Sequence, residues 1–275
     1  MYLSLLVLIV TGALATVAVM LGRRFYRHWR HTRLRGQPLS RDLAAILEQR
    51  VSLYRRMPEM LREELRGYIN IFLQDKTFVG CDDLEITDEI RVVIAANACV
   101  LLLNRSAVNF AGFSSILVYP DAYLAPTVSY ADGIETVSHS ARAGESWHRG
   151  PVVLSWGDVL RGSLNPDDGH NVVLHEFAHK LDEENGLVDG LPILRDPGHY
   201  QEWADILTRE FSAHRKRVRN NRNTVIDSYG AVAPEEFFAV ATETFFERSR
   251  KMQQFLPDLY AQLQQFYGVD PASWQ

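Results

Sequence analysis

The segment NPDDGHNVVLHEFAHKLDEENG, residues 165–186, predicts one amphipathic helix that carries two histidines on the same face. His175 and His179 are four residues apart, so on a helix both imidazoles can bind a single metal ion. Glu176 lies beside them, where its carboxylate can take a proton from a metal-bound water. Asn185-Gly186 is a strong signal for the end of the helix. Four apolar residues of this helix are expected to fix it in the core: Val172, Val173, Phe177 and Leu181.

The chain before this segment predicts helices followed by a sheet. Ser40 can cap a helix that runs to about Met57, and Pro58 can begin a second one. DEIRVVIAANACVLLLN, residues 88–104, is apolar enough for a buried helix. SSILVYP and PTVSY, residues 114–120 and 126–130, are short runs typical of strands.

One more strand is expected immediately before the histidine helix. It covers Val152, Val153, Leu154, Ser155 and Trp156, and Pro151 at its start is typical of an edge strand. We expect an extended peptide to add to this edge by backbone hydrogen bonding. Three further amphipathic helices follow, so the order of helices, sheet and helices predicts an α+β fold with a small mixed sheet over residues 39–275.

The amino-terminal region differs in composition from the rest of the chain. Residues 1–22 hold no charged side chain and are long enough to cross a bilayer as a helix. A basic stretch, residues 23–38, follows with six arginines and no acid. Because positive charge follows the apolar run, the pattern predicts an uncleaved single-pass anchor in the inner (plasma) membrane, with the remainder facing the cytoplasm.

The charge of the remaining chain argues against a nucleic-acid partner. Without those six arginines it has 23 basic and 34 acidic residues, a formal charge of −11. Cys81 and Cys99 match neither a zinc-ribbon nor a redox spacing, so both are expected to be core thiols in a reduced compartment.

A catalytic zinc site needs a third protein ligand and one open position. The extended motif with a third histidine is excluded, because Asp182 and Asn185 occupy the places where it requires glycine and histidine. A carboxylate from the helix that begins at Pro234 is the alternative. That helix offers Glu235, Glu236, Glu243 and Glu247, of which Glu236 is the first candidate and Glu243 the second, with Asp182 or Asp189 behind them.

The order of these segments resembles a known family. HEFAHKLDEENG is preceded by GPVVLSW and followed by YGAVAPEEFFAVATETFF, as in the Mlc titration factor A family of zinc-dependent peptidases. That family is similar in fold to the catalytic domain of anthrax lethal factor. The likeness covers roughly residues 53–268 and implies a zincin-like metallopeptidase domain.

The resemblance also implies roles for particular residues. His175, His179 and Glu236 would hold one Zn²⁺ per chain in a gluzincin-like set, Glu176 would be the general base, and Tyr229 would be a phenol that assists catalysis. Glu243 and Asp182 are then candidates for orienting the imidazoles through hydrogen bonds.

Two functions follow as hypotheses. The first is a membrane-tethered peptidase that hydrolyses peptides or unfolded protein segments by attack of a zinc-bound water, with Glu176 as general base. The second is a regulatory binding module that keeps the zinc site and sequesters a protein partner. The intact His-Glu-x-x-His motif favours the enzyme, since a structural zinc site closes its fourth position with Cys or His.

Overall fold

The computed structural model describes residues 2–105, 110–131, 134–142, 144–146 and 150–274. Its first half is mainly helical, with a short strand before the fifth helix. These elements are α1 (Tyr2–Arg35), α2 (Arg41–Arg50), α3 (Ser52–Arg56), α4 (Glu59–Asp75), β1 (Thr77–Gly80) and α5 (Asp88–Val100). The remaining strands are β2 (Ser115–Tyr119), β3 (Tyr123–Ala131), β4 (Ile134–Arg142), β5 (Gly144–Ser146) and β6 (Val152–Ser155). The helices that follow are α6 (Trp156–Leu164), α7 (Val172–Asp182), α8 (Tyr200–Arg219), α9 (Pro234–Glu247), α10 (Ser249–Phe255) and α11 (Pro257–Tyr267).

The helix starts agree with the capping residues in the sequence. Ser40 accepts a hydrogen bond from the backbone N–H of Leu43, and Pro58 precedes the first residue of α4. The helix expected to run to Met57 is broken, because Val51 takes an extended conformation with φ −117° and divides it into α2 and α3. Val51 is fully buried there, so its side chain fills the core at the break.

Four strands form the central sheet in the order β1-β2-β6-β5. β1, β2 and β6 are parallel, and β5 pairs antiparallel with β6. β3 and β4 form a separate antiparallel pair. The predicted α+β fold with a small mixed sheet is therefore confirmed.

The strand expected at the sheet edge is internal. Val152–Ser155 has β2 on one side and β5 on the other, and Trp156 already belongs to α6. The prediction of an edge strand at Val152–Trp156 is wrong because the three residues of β5 add to it and become the edge among the described strands. All four residues of β6 are buried, which is typical of an internal strand.

The amino-terminal helix does not end where the apolar run ends. α1 continues through the basic stretch to Arg35, and Asp75 of α4 forms an ion pair with Arg30 and a hydrogen bond of 2.7 Å with His31 Nε2. Among the residues that the structure describes, no helix combines the length and apolar character that a membrane span needs. The predicted transmembrane anchor at residues 1–22 finds no support there.

The predicted core cysteines differ in burial. Cys99 on α5 is fully buried, whereas Cys81, just after β1, is half-buried, and both are free thiols. Cys99 therefore fits the prediction and Cys81 only partly.

An aromatic cluster holds the helix of the two histidines against the first half of the chain. Phe177 of α7 is fully buried, and its ring centroid lies 4.9 Å from that of Phe110 and 5.7 Å from those of Phe72 and Phe113. These distances are in the range that favours tilted and edge-to-face contacts. The side chain that follows Glu176 in sequence thus fixes the position of α7 in the core.

Phe177→Ala should lower the free energy of unfolding by about 3–5 kcal/mol, because it leaves a cavity among three other rings. Denaturant unfolding measures the change. Phe255→Ala is the matched control, since Phe255 is 58% exposed and its loss should cost less than about 0.5 kcal/mol. Similar losses for the two variants would contradict the central position of the cluster.

Candidate metal centre

The first two candidate ligands lie on α7. The side chain of Asn171 caps this helix by accepting a hydrogen bond from the Leu174 N–H. One turn separates His175 from His179, and their ring centroids are 4.9 Å apart. The two Nε2 atoms are 3.3 Å apart, so both rings direct the same nitrogen to one point.

The third group comes from the first turn of α9. Glu236 Oε2 lies 3.1 Å from His175 Nε2 and 3.5 Å from His179 Nε2. Pro234 begins this helix at a position where its missing N–H costs nothing. Within the described ranges, His175, His179 and Glu236 form the group whose ligand atoms could hold a metal ion.

The distances among these three atoms fit a small tetrahedral cation. Ligand bonds of about 2.0–2.1 Å to a tetrahedral ion place neighbouring ligand atoms about 3.3 Å apart. The three observed separations, 3.1, 3.3 and 3.5 Å, surround that value. The residues therefore fit a metal ion without a change in backbone position.

Glu243, two turns further along α9, fixes the proton on His175. Its Oε1 lies 2.8 Å from His175 Nδ1, and its Oε2 accepts a hydrogen bond of 2.6 Å from the Asn171 N–H. With Nδ1–H donated to Glu243, Nε2 is the nitrogen that faces Glu236, and it carries a proton in the imidazolium form and a lone pair in the neutral form. Two acceptors at 3.1 Å need a proton or a cation between them, and a metal ion meets that need.

The charges of the site agree with this interpretation. Burial opposes the charged form of His175, but Glu236 and Glu243 raise its pKa well above the ordinary value. Burial likewise opposes ionisation of Glu236, but hydrogen bonds with His175 and His179 lower the pKa of this carboxyl well below its usual range. The site thus strongly attracts positive charge.

Glu176 lies on the same helix and is buried next to the edge strand. Burial raises its pKa, whereas the two histidines lower it. A β-carbon placed on Gly144 of β5 would lie 2.6 Å from Glu176 Oε1 and 2.6 Å from Val172 Cγ2. Only a glycine at position 144 therefore leaves room for the carboxylate.

Tyr229 lies in the short 3-10 turn Ser228–Ala231, and its side chain is half-exposed. Its ring centroid is 6.0 Å from that of His175, so the phenol ring lies beside one of the two histidines. The turn is fixed at two points. Asp227 Oδ1 accepts from the Tyr229 N–H at 2.8 Å, and His214 Nε2 donates to the Asp227 carbonyl at 3.0 Å.

Two other candidate acids lie away from the ligand atoms. Asp182 is fully buried at the end of α7, but its Oδ2 accepts from the Gly190 N–H at 2.8 Å, and among the described residues neither its Oδ1 nor His179 Nδ1 has a hydrogen-bond partner. Asp189 is exposed and accepts from the Leu191 N–H. The role of Asp182 toward an imidazole stays a prediction.

The residues that support α7 could hardly be recognised from the sequence. Asn171 Nδ2 donates to Asn97 Oδ1 at 3.0 Å, and Asn97 Nδ2 donates to Ser163 Oγ at 3.0 Å, which joins α5 and α6 to the start of α7. Asn97 inside an apolar helix was the one available signal. Gly144 had none, because a single glycine in a short strand has no recognisable pattern.

Glu247 is a buried acid with no assigned role. It is 3% exposed, and neither of its side-chain oxygens has a hydrogen-bond partner among the described residues. Burial raises its pKa to about 9, although Asn171 and the backbone of Gly169 lie close enough to favour the ionised form. Its carboxyl is therefore neutral at pH 7, one turn beyond Glu243 on α9.

Comparison with known proteins places the chain in a family of metallopeptidases. Residues 26–268 match the family model of the glucose-regulated metallo-peptidase M90, and the chain belongs to this family. An uncharacterized protein of Synechocystis sp. is 40% identical over 266 residues, which cover 96% of this chain and 97% of that protein.

Two further relatives carry the name anticipated from the sequence. Mlc titration factor A of Pectobacterium atrosepticum is 30% identical over 261 residues, 90% of this chain and 94% of that protein. Mlc titration factor A of Salmonella arizonae is 32% identical over 207 residues, 73% of this chain and 80% of that protein. The resemblance to the Mlc titration factor A family is confirmed.

Glu247→Gln tests whether the buried carboxyl is neutral. An acid with a pKa of about 9 in the folded chain and 4.5 in the unfolded chain binds more protons when folded, so its contribution to stability falls as pH rises between these values. Glutamine carries no such proton. The free energy of unfolding of Glu247→Gln minus that of wild type should therefore increase with pH. Near pH 8 this difference should be at least about 1 kcal/mol in favour of the variant.

Urea unfolding at pH values of about 5, 6.5 and 8 measures this difference. Glu63→Gln, which changes an exposed carboxylate on α4, is the control and should show little dependence on pH. A constant difference between Glu247→Gln and wild type at all three pH values would contradict the neutral carboxyl.

Proposed function

We propose that this protein is a zinc-dependent peptidase. The observation that carries the proposal is the convergence of His175 Nε2, His179 Nε2 and Glu236 Oε2 at 3.1–3.5 Å from one another. Buried Glu176 lies beside them on the same helix as the histidines. Three protein ligands with an adjacent carboxylate are the arrangement of catalytic zinc sites, whereas structural zinc sites use four.

The donor set favours zinc over other ions. Two imidazoles and one carboxylate suit a tetrahedral borderline metal, whereas magnesium and calcium prefer oxygen ligands only. When bound, zinc would polarise a peptide carbonyl and lower the pKa of a coordinated water.

The chain's own residues would handle the protons. Glu176 takes a proton from the attacking water and passes it to the leaving amine, which its position between the two ligand histidines allows. Burial supports this role, because it raises the pKa of the carboxyl and thus its affinity for the proton. Tyr229, at the border of the site, is suited to donate its hydroxyl hydrogen to the developing oxyanion.

The outer edge of β5 is the proposed place for the substrate backbone. β5 pairs with β6 on one side and is the last strand of its sheet among the described residues. An extended peptide can add to such an edge by main-chain hydrogen bonds. Gly144 would then bring this backbone close to Glu176, because it presents no side chain between the strand and the carboxylate.

A second candidate function is regulation by binding a protein partner. Its support is the name of the relatives, Mlc titration factor A, which describes a protein that titrates Mlc. In this alternative the metal ion would stabilise α7 and α9 as part of a binding surface, and hydrolysis would be incidental.

Metal content and hydrolysis of a fluorogenic peptide library should separate the two functions. Wild type should bind about one zinc per chain and cleave peptides. Glu176→Gln should keep the zinc and lower kcat by about 10²–10⁴-fold, because it removes the base and no ligand. Glu236→Ala should weaken zinc binding by about 100-fold or more, because it removes a ligand.

Zinc binding without cleavage of any peptide would contradict the peptidase and favour the partner-binding function. In that case Glu176→Gln should retain full affinity for the partner. No zinc in the wild-type protein would contradict both functions.

Gly144→Ala should reduce kcat by about tenfold or more and leave zinc affinity unchanged. The added methyl group would displace the Glu176 side chain, which can move, and would not touch the three ligands. Steady-state kinetics and zinc titration measure the two effects. Gly112→Ala is the matched control, since a β-carbon there has no neighbour closer than 3.9 Å. Unchanged kcat in Gly144→Ala would argue against the position of Glu176 as the base.

A further inference from the structure

A junction outside the ligand set connects the two helices that carry the ligands. Asp182 is the last residue of α7, three residues after His179, and its side chain is fully buried. Its Oδ2 accepts a hydrogen bond of 2.8 Å from the backbone N–H of Gly190 in the loop that follows. The end of the histidine helix is therefore tied to this loop.

Gly190 in turn contacts the start of α9. A β-carbon on Gly190 would lie 2.8 Å from the Pro234 carbonyl oxygen and 3.1 Å from the Pro234 carbonyl carbon. Its φ of +78° is also a value that side chains disfavour. The close approach of the two backbones thus depends on glycine at this position.

The third side of the junction is α8. Trp203 Nε1 lies 3.3 Å from the Gly190 carbonyl oxygen and donates to it, and Trp203 is itself buried. The N–H of Gly190 therefore bonds to α7 and its carbonyl oxygen accepts from α8, while its Cα packs against the start of α9. A small residue with both polar groups satisfied in this way has a fixed position.

We infer that Asp182 and Gly190 position Glu236 relative to the two histidines and thereby set the affinity for the metal ion. Pro234 begins α9 two residues before Glu236, so a shift of the junction moves the carboxylate and leaves α7 in place. Ligand atoms that must meet within a few tenths of an ångström are sensitive to such a shift. This inference rests on the proposed metal site.

An effect of Asp182 on the ring of His179 is the alternative that the experiment must separate from the junction. Asp182 Oδ1 and His179 Nδ1 are both buried, and neither has a hydrogen-bond partner among the described residues. If Asp182 acted by orienting the ring of His179, its two oxygens would have to accept from both His179 Nδ1–H and the Gly190 N–H. The amide of Asp182→Asn has a single oxygen for these two donors, and its NH₂ group cannot accept. The junction needs only one acceptor, for the Gly190 N–H.

Four variants of the full chain distinguish these effects: Asp182→Ala, Asp182→Asn, Gly190→Ala and, as a control, Gly186→Ala. Gly186 lies in the same loop with φ +93°, but a β-carbon there meets nothing within 4 Å. The Gly186→Ala variant therefore has the same kind of backbone strain as Gly190→Ala but lacks the contact with Pro234. The readouts are the zinc Kd, from competition with a chromophoric chelator, and the free energy of unfolding in excess chelator.

Asp182→Ala and Gly190→Ala should raise the zinc Kd by about 10–100-fold. Asp182→Asn, which can still accept from Gly190, and Gly186→Ala should remain near wild type. A merely structural role would lower the unfolding free energy of these variants and leave the zinc Kd of the folded protein unchanged, so the comparison of the two readouts is decisive. If Gly190→Ala does not fold, the pair Asp182→Ala and Asp182→Asn still gives the result.

Three outcomes would overturn the inference. If Asp182→Ala and Gly190→Ala both kept wild-type zinc affinity, the inference would be wrong although the proposed metal site would remain. An equal loss in Asp182→Asn and Asp182→Ala, with Gly190→Ala unaffected, would assign the effect to His179. Failure of the wild-type protein to bind zinc would instead remove the proposed site on which the inference depends.

Discussion

One buried carboxylate, that of Glu243, joins the two helices on which the candidate site depends. It accepts from the ring of His175 with one oxygen and from the backbone of Asn171 with the other. The first contact orients the ring of a candidate ligand, and the second satisfies an amide at the start of α7 that would otherwise be buried without a partner. The same side chain therefore orients the nitrogen that faces the other two candidate ligands and holds α7 against α9.

Position along α9 gives chemically identical side chains different states. Glu236 faces two imidazoles in the first turn and is ionised, which suits a ligand. Glu247, near the end of the helix, is neutral because burial outweighs the influence of Asn171 and the Gly169 backbone. Burial opposes the charged form of both, so the partner decides the protonation state. The neutral Glu247 thus adds no negative charge to the core beyond that of the acids that contact His175.

The sequence predicted the parts of the site that are local in the chain. The histidine spacing, the neighbouring Glu176 and the stop at Gly186 follow from helix geometry within one segment, and the structure has them on or just after α7. The choice between Glu236 and Glu243 could not be made from the residues alone, since both lie along one stripe of α9 and only the packing against α7 distinguishes them. The resemblance to a family supplied that choice.

The errors have a common physical cause. Val152–Ser155 was expected at the sheet edge because Pro151 precedes it, but the edge is made by β5, whose three residues are too few to give an alternating pattern. Strand order is a property of long-range pairing and is not encoded in the composition of one strand. The same limit concealed Gly144, whose importance depends entirely on the approach of Glu176 from another element.

The burial of Glu176 is the strongest physical argument for the proposed catalysis. A metal held only for structure gains nothing from a second buried carboxylate beside it, yet burial here raises the pKa of Glu176 and so works against its charged form. Such a cost is intelligible where a proton must be accepted next to the metal, which is the task of a general base.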